Sequence, residues 1–187
     1  MADSKNYFDY LRQRSMSGLV YRKYWLYPRL CKKLKGRTLD LGCGVGDMLA
    51  YRSNTVGVDI NPKTIEWGKT QGFNVFLIED NKLPFEEKSF DSVILDNVLE
   101  HILDPTLILL EGNRVLDEQG VFVVGVPGLL GYSSDSDHKV FYTKEKLIDT
   151  VTGFGFSVTE LFAMPFNFEW LDTRMRQYCV YAVFKKN

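Results

Sequence analysis

Three closely spaced glycines and a set of carboxylates carry the first chemical signal. Residues 39–47 read Leu-Asp-Leu-Gly-Cys-Gly-Val-Gly-Asp, with Gly42, Gly44 and Gly46 separated by Cys43 and Val45. Glycines between a strand and a helix let the backbone approach a ligand closely. A dinucleotide fingerprint carries its third glycine three residues after the second. Here Gly46 comes one residue early and Asp47 holds that position. With Asp40 as a second carboxylate at the same mouth, a pyrophosphate is disfavoured and a cationic or hydroxyl-bearing ligand is favoured. Alone, such a loop reads equally as a tight structural turn. Asp59, seventeen residues after Gly42, ends the next apolar run. A carboxylate there accepts the hydroxyls of a ribose, or else holds the helix start at Asn61-Pro62. Glu79 and Asp80 follow a third apolar run, where an acid suits an adenine amine. Acids at three successive strand ends fit the rule that ligands bind outside the carboxyl edge of an open parallel sheet.

The two histidines are His101 and His138. A histidine titrates near neutral pH, which makes His138, with Asp137 to orient it, the candidate general base. The alternative is a loop histidine that holds local structure. His101, in Leu99-Glu100-His101-Ile102, reads as a residue that orders the loop after the fourth strand. Phe166, Phe168 and Trp170 are candidates to cover an apolar acceptor or simply the sheet end, and Arg174 and Arg176 to meet a phosphate or carboxylate. Tyr7 and Tyr10 are candidates to close over the ligand from the N-terminal side.

Those residues need a scaffold, and the apolar pattern supplies one. Residues 6–15 and 17–34 read as helices, with Val20, Tyr24, Tyr27, Cys31 and Leu34 at helical spacing. Pro28 fits the first turn of a new helical segment. Apolar runs at 38–41, 55–58, 73–78, 89–95 and 120–126 read as strands alternating with helices, the pattern of a parallel sheet covered on both faces. Asn61-Pro62 and Asp104-Pro105 open two of those helices. Residues 128–142 read as a long loop and Thr143 caps a short helix. Strands at 156–164 and 174–185 lie too close together for a parallel crossover, so the sheet ends in an antiparallel hairpin.

With 187 residues, the chain suits one domain. Its 45% hydrophobic and 25% charged residues exclude a disordered or collagenous chain. Three dispersed cysteines without a CxxC pair argue against a disulfide framework and a cysteine-rich zinc site. The first residues lack an apolar signal core and no apolar run spans a bilayer, which reads as a cytoplasmic protein. Charge is uneven. Residues 11–39 hold nine Lys or Arg and no acid, whereas residues 79–118 hold eleven acids against three cations. The basic stretch, interleaved with Tyr21, Tyr24, Trp25 and Tyr27, is either a solvated helix face or a surface for an anionic membrane, a nucleic acid or a phosphorylated substrate.

In combination, LDLGCGVGD (39–47), VGVDINP (56–62), LPFEEKSFDSVILDNVLEHILDP (83–105) and RVLDEQGVFVVGVP (114–127) resemble class I S-adenosylmethionine-dependent methyltransferases. Within that family the chain looks most like the small-molecule branch of ubiquinone-biosynthesis O-methyltransferases. The resemblance implies an α/β, Rossmann-like, doubly wound seven-stranded sheet of order 3-2-1-4-5-7-6 with strand 7 antiparallel. It implies one domain over 1–187: N-terminal helices to 35, a donor-binding core over 36–126, then acceptor loops and the final hairpin. It places Asp40, Gly42 and Gly44 around the methionine part of the donor, with Cys43 and Gly46 in the same loop. Asp59 falls on the ribose, Ile60 beside the adenine ring, Glu79 or Asp80 near adenine, and Asn97 near the methyl end. S-adenosylmethionine is the implied cofactor, S-adenosylhomocysteine the product, and no metal is expected.

The expected acceptor is a small molecule or a glycan- or lipid-linked molecule, methylated at oxygen and held by loops 127–142 and 164–173. A nicotinamide dehydrogenase lacks support at the third glycine. A polyamine-forming transferase lacks extra acids beyond Asp135 and Asp137. No Asn-Pro-Pro-Tyr run is present, which disfavours methylation of a base amino group. Nucleic-acid or protein methylation and a non-catalytic donor-binding module stand as the alternatives. The oligomeric state is left open.

Overall fold

A computed structural model describes residues 15–79 and 82–187. Tyr7, Tyr10, Asp80 and the helix expected before residue 15 lie outside the described residues. Strand β4 (Phe90–Asp96) shows why the sheet is buried on both faces. Val93 and Leu95 join one apolar cluster and Ile94 another. Strands alternate their side chains across the sheet, so a nearly continuous apolar run feeds two cores at once. Strands β5 (Leu116–Pro127) and β7 (Cys179–Lys186) do the same, with Phe122, Val124, Ala182 and Phe184 on one face and Val123, Tyr181 and Val183 on the other. Each fully buried Val, Leu or Phe contributes roughly 1.5–3 kcal/mol, which fixes the strand ends in register.

The seven strands run in the order β3-β2-β1-β4-β5-β7-β6, with β1 at Thr38–Leu41, β2 at Thr55–Asp59, β3 at Val75–Leu77 and β6 at Phe156–Met164. Pairings among β1 to β5 are parallel, and β7 is antiparallel to both β5 and β6. The final hairpin is the one the residue pattern led us to expect, and the order is the one the family resemblance implied.

Helices cover both faces. On one side lie α1 (Met16–Tyr21), a π-helical turn (Arg22–Leu26) and α2 (Tyr27–Cys31), whose Leu26, Tyr27 and Leu30 meet Ile94, Val123 and Tyr181. Pro28 has no N–H and sits in the first turn of α2, where none is needed; the wider π turn directly precedes it. The glycine loop leads into α3 (Asp47–Tyr51). Asn61 caps α4 (Pro62–Thr70) by accepting the Lys63 N–H. On the opposite face, α5 (Thr106–Val115) follows Asp104, whose carboxylate accepts the Thr106 N–H. Two elements differ from expectation. Residues 128–142 include a short helix, α6 (Leu129–Tyr132), because Asp172 receives the Leu129 and Leu130 N–H groups at its start. Strand β7 begins at Cys179 rather than at 174, since residues 171–178 form backbone turns. Helix α7 (Lys144–Thr152) starts at Thr143 as expected.

Candidate active site

The carboxyl edge of the parallel strands carries the site. Gly42, Gly44 and Gly46 all have positive φ (90°, 51° and 85°), a region only glycine enters without strain. At Gly42 a Cβ would stand 2.5 Å from the Val98 side chain, and at Gly46 2.7 Å from the Phe73 ring. Any side chain at either position would push the loop off the sheet. The loop is tied to β2 by the Gly42 and Cys43 N–H groups, each 2.9 Å from the Val58 carbonyl. Asp59 ties it again: Oδ2 accepts the Gly44 N–H at 2.8 Å and Oδ1 accepts the Asn61 N–H at 2.8 Å. Burial raises the Asp59 carboxyl, and these donors oppose the shift. Asp59 thus braces the loop and the α4 start. Each of its oxygens retains further acceptor capacity for a ligand hydroxyl.

A cleft of about 560 Å³ opens in front of this loop. Asp40, Gly42, Cys43 and Gly44 form one end of it. Asp96 and Asn97, at the end of β4, form its floor. Asn97 has a φ of 57° and donates Nδ2 to Asp96 Oδ1 at 2.9 Å, while the Tyr181 hydroxyl donates to the same oxygen at 2.7 Å. The Cys179 thiol reaches Asn97 Oδ1 at 3.5 Å. The far end gathers Glu100, His101, Asp135, His138 and Arg176, with Tyr21 and Arg22 closing over from the N-terminal helices. His138 Nδ1 is 2.8 Å from the Tyr132 carbonyl, which can only accept, so Nδ1 carries the proton and Nε2 presents a lone pair. That lone pair lies 3.8 Å from Glu100 Oε1. Glu100 is 1% exposed, and burial pushes its carboxyl up to about 8, with Asp96 and Asp135 adding to the shift. Burial, then His138, lowers the His101 imidazole.

Residues 39–124 match the profile of a family described as a methyltransferase domain. That span contains the glycine loop, Asp59, Asn97 and Glu100, and the strand order around it agrees. Over these residues, just under half of the chain, the sequence is similar to a methyltransferase domain.

The chain has relatives by sequence and by fold. A "Probable S-adenosylmethionine-dependent methyltransferase" of Mycolicibacterium smegmatis is 29% identical over 167 residues, covering 79% of this chain and 65% of the relative. A demethylmenaquinone methyltransferase of Staphylococcus aureus is 34% identical over 99 residues, 46% of this chain and 41% of that protein. The chain therefore spans less than two thirds of these curated relatives. A Thermotoga maritima crystal structure titled as a SAM-dependent methyltransferase, possible histamine N-methyltransferase, superposes with a TM-score of 0.74 at 21% identity, covering 98% of each chain. It shares the fold. S-adenosylmethionine is the methyl donor this family implies.

The fold brings together Asp40, Gly42, Cys43, Gly44, Asn97 and His138 around one cleft. Gly46, Asp59, Ile60 and Glu79 do not line it. Gly46 and Asp59 lie behind the loop as its supports, whereas Ile60 is 75% exposed at the carboxyl edge of β2 and Glu79 is exposed just past β3. The loop over 164–173 is not a cleft wall. Trp25 Nε1 donates to the Pro165 carbonyl at 2.9 Å and its ring meets Phe166, which draws that connection onto the N-terminal helices. There Phe166 and Phe168 line a separate groove with Trp25, Arg29 and Lys33. Arg176 reaches the cleft, while Arg174 stacks over Trp170. Arg22, Asp96, Glu100 and Tyr181 carry no mark in a single sequence as cleft residues, because three distant segments place them there. Only the position of Glu100 beside His101, three residues beyond Asn97, hinted at it.

Proposed function

We propose that this chain transfers a methyl group from S-adenosylmethionine to an oxygen of a small-molecule, glycan-linked or lipid-linked acceptor. The observation that carries the reading is one cleft with a glycine loop at one end and a histidine with a directed lone pair at the other. Its size lies within the range of small-molecule sites, and its chemistry fits the donor. Asp40 suits a cationic amino-acid head. Asp59, with Ile60 and Glu79 beside it on the same edge, suits a ribose and an adenine. When bound, the donor supplies an already activated methyl on a sulfonium, so the chain's task is chiefly alignment. Asn97, fixed by Asp96 and Cys179, sits where the loop meets the acceptor end. His138 Nε2 takes the hydroxyl proton as the acceptor oxygen forms its bond to carbon. Arg22 and Arg176 favour an acceptor carrying an anionic group.

The same reading takes the basic residues up to 39 as a peripheral contact and the protein as cytoplasmic. Tyr24, 67% exposed, and Trp25 stand among Lys23, Arg29, Lys32 and Lys33. Among the described residues no helix is long and apolar enough to cross a membrane. Titration with S-adenosylhomocysteine, with NAD as counter-ligand and Asp59→Ala as control, tests the donor half. Binding of the first alone, weakened at least tenfold in the variant, supports the reading, and binding of NAD instead refutes it. Transfer of labelled methyl to hydroxyl acceptors then tests the other half.

A further inference from the structure

We propose that Glu100, His101 and His138 form a binding site for a first-row divalent cation of the zinc class at the acceptor end of the cleft. One ligand atom from each residue lies within 4.8 Å of the others. Two imidazoles and a carboxylate form a donor set that zinc, cobalt and iron(II) share. Zinc–nitrogen bonds of ~2.0–2.1 Å put tetrahedral ligand atoms about 3.4 Å apart, so side-chain shifts that close separations of up to 4.8 Å by at most about 1.4 Å seat an ion.

Three further features point to a cation. Both carboxylate oxygens of Glu100 are buried and accept no hydrogen bond among the described residues. A buried, uncompensated carboxylate is costly unless a proton or a cation satisfies it. Second, the Nδ1–H of His138 is held on the Tyr132 carbonyl, which aims the Nε2 lone pair at Glu100 Oε1, 3.8 Å away and too far for a hydrogen bond. An imidazole whose other nitrogen is fixed by a carbonyl is the usual arrangement of a metal ligand. Third, His101 Nδ1 lies 3.4 Å from the Asp137 carboxylate, a brace of the same kind. The residues come from the turn after β4 and the loop after β5. That loop is held to the turn by the Lys139 and Val140 N–H groups on the Glu100 carbonyl at 2.7 and 3.0 Å.

Three protein ligands leave a tetrahedral ion one position open to the cleft. An acceptor hydroxyl there loses its proton to solvent, because a bound cation lowers its pKa. The oxygen lone pair then forms the bond to the donor methyl, and the electrons of the carbon–sulfur bond pass to sulfur. This deepens the proposed methyl transfer and rests on it. His138 serves as a ligand when the ion is present and as the proton acceptor when it is absent. A sulfonium donor needs no such ion, which is why no metal was expected from the sequence.

The test is titration of chelator-treated protein with Co²⁺ alone, followed by its visible ligand-field band. We expect one equivalent to bind, with displacement by Zn²⁺. Glu100→Gln and His138→Ala, checked for folding by circular dichroism, should each weaken it by about 100-fold or more. No band at stoichiometric Co²⁺ in the wild-type protein overturns the proposal, as does an affinity unchanged in both variants. S-adenosylhomocysteine binding to the same sample separates the two readings. If it binds and Co²⁺ does not, the metal site falls and the donor site stands. If neither binds, both fall.

Discussion

Behind the glycine loop, where the donor is proposed to bind, Asp59 commits its two carboxylate oxygens to backbone N–H groups of Gly44 and Asn61, each at 2.8 Å. At the acceptor end, both oxygens of Glu100 are buried without a hydrogen bond among the described residues. The two ends are built differently. The donor loop is a backbone object: its glycines lie at positive φ, its N–H groups are bound to β2, and its shape is set before any ligand arrives. The acceptor end is a side-chain object drawn from the N-terminal helices, the turn after β4, the loop after β5 and the segment before β7. Preorganised backbone suits a ligand shared by a whole family. An assembly of side chains suits an acceptor that differs from one member to the next.

The sharpest way to break this contrast is to disturb the backbone end. Gly42→Val adds left-handed strain of about 1–2 kcal/mol and a clash with Val98 of about 1–3 kcal/mol. Titration with S-adenosylhomocysteine should show affinity lower by roughly 30- to 1000-fold or more. An affinity within threefold of wild type would mean that the loop is not preorganised. His138→Ala disturbs the other end alone. In the absence of added metal, single-turnover methyl transfer should fall about 10²- to 10⁴-fold, while S-adenosylhomocysteine affinity stays within threefold. A fall in both would merge the two halves into one site.

Glu100 sharpens the contrast through stability. Its folded carboxyl lies at about 8 against 4.5 in an ordinary setting, chiefly because of burial. Between those pH values the folded state holds a proton that the unfolded chain releases, so stability falls as pH rises through that window. In chelator-treated protein the loss reaches roughly 4–5 kcal/mol at most. Glu100→Gln removes the titration. Its melting temperature should therefore match wild type near pH 5 and exceed it by several degrees at pH 8.5. A variant that melts lower at pH 8.5 would show that the buried carboxylate has a partner in solution.

The same division explains what the sequence revealed. The strand–helix alternation, the final hairpin and the glycine loop follow from signals a few residues long: alternating apolar runs, Gly42 to Gly46, and the Asn61-Pro62 cap; the strand order came only from the family resemblance. Asp59 was legible as a site residue because it ends an apolar run, yet its bracing bond to Gly44 was not, because the two are brought together only by strand pairing. His138 was legible as a candidate base by residue type. Its partner Glu100 was not, since a charged residue 38 positions away gives no hint that it is buried. That loop 164–173 stands away from the cleft was illegible for the same reason. The Trp25 bond to Pro165 spans 140 residues and has no local trace.

The mildest test lies where the two ends meet. The Tyr181 hydroxyl donates to Asp96 Oδ1 at 2.7 Å, and that oxygen also accepts from Asn97, the residue at positive φ nearest the expected methyl end. Tyr181 is fully buried, and burial together with Asp96 raises its phenol far above the ordinary range, so it acts only as a donor. Tyr181→Phe keeps the ring, its stack on Phe162 and the volume of the core, and deletes one hydrogen bond to a carboxylate. Such a bond is worth about 1.5–3 kcal/mol, which lowers the melting temperature by roughly 3–12 °C in a domain of this size. Asn97 remains held by Cys179, so donor affinity should fall less than tenfold while turnover falls more than affinity does. That inequality follows if Asp96 and Asn97 align the methyl end rather than bind the donor. An equal fall in both would assign the pair to the backbone half.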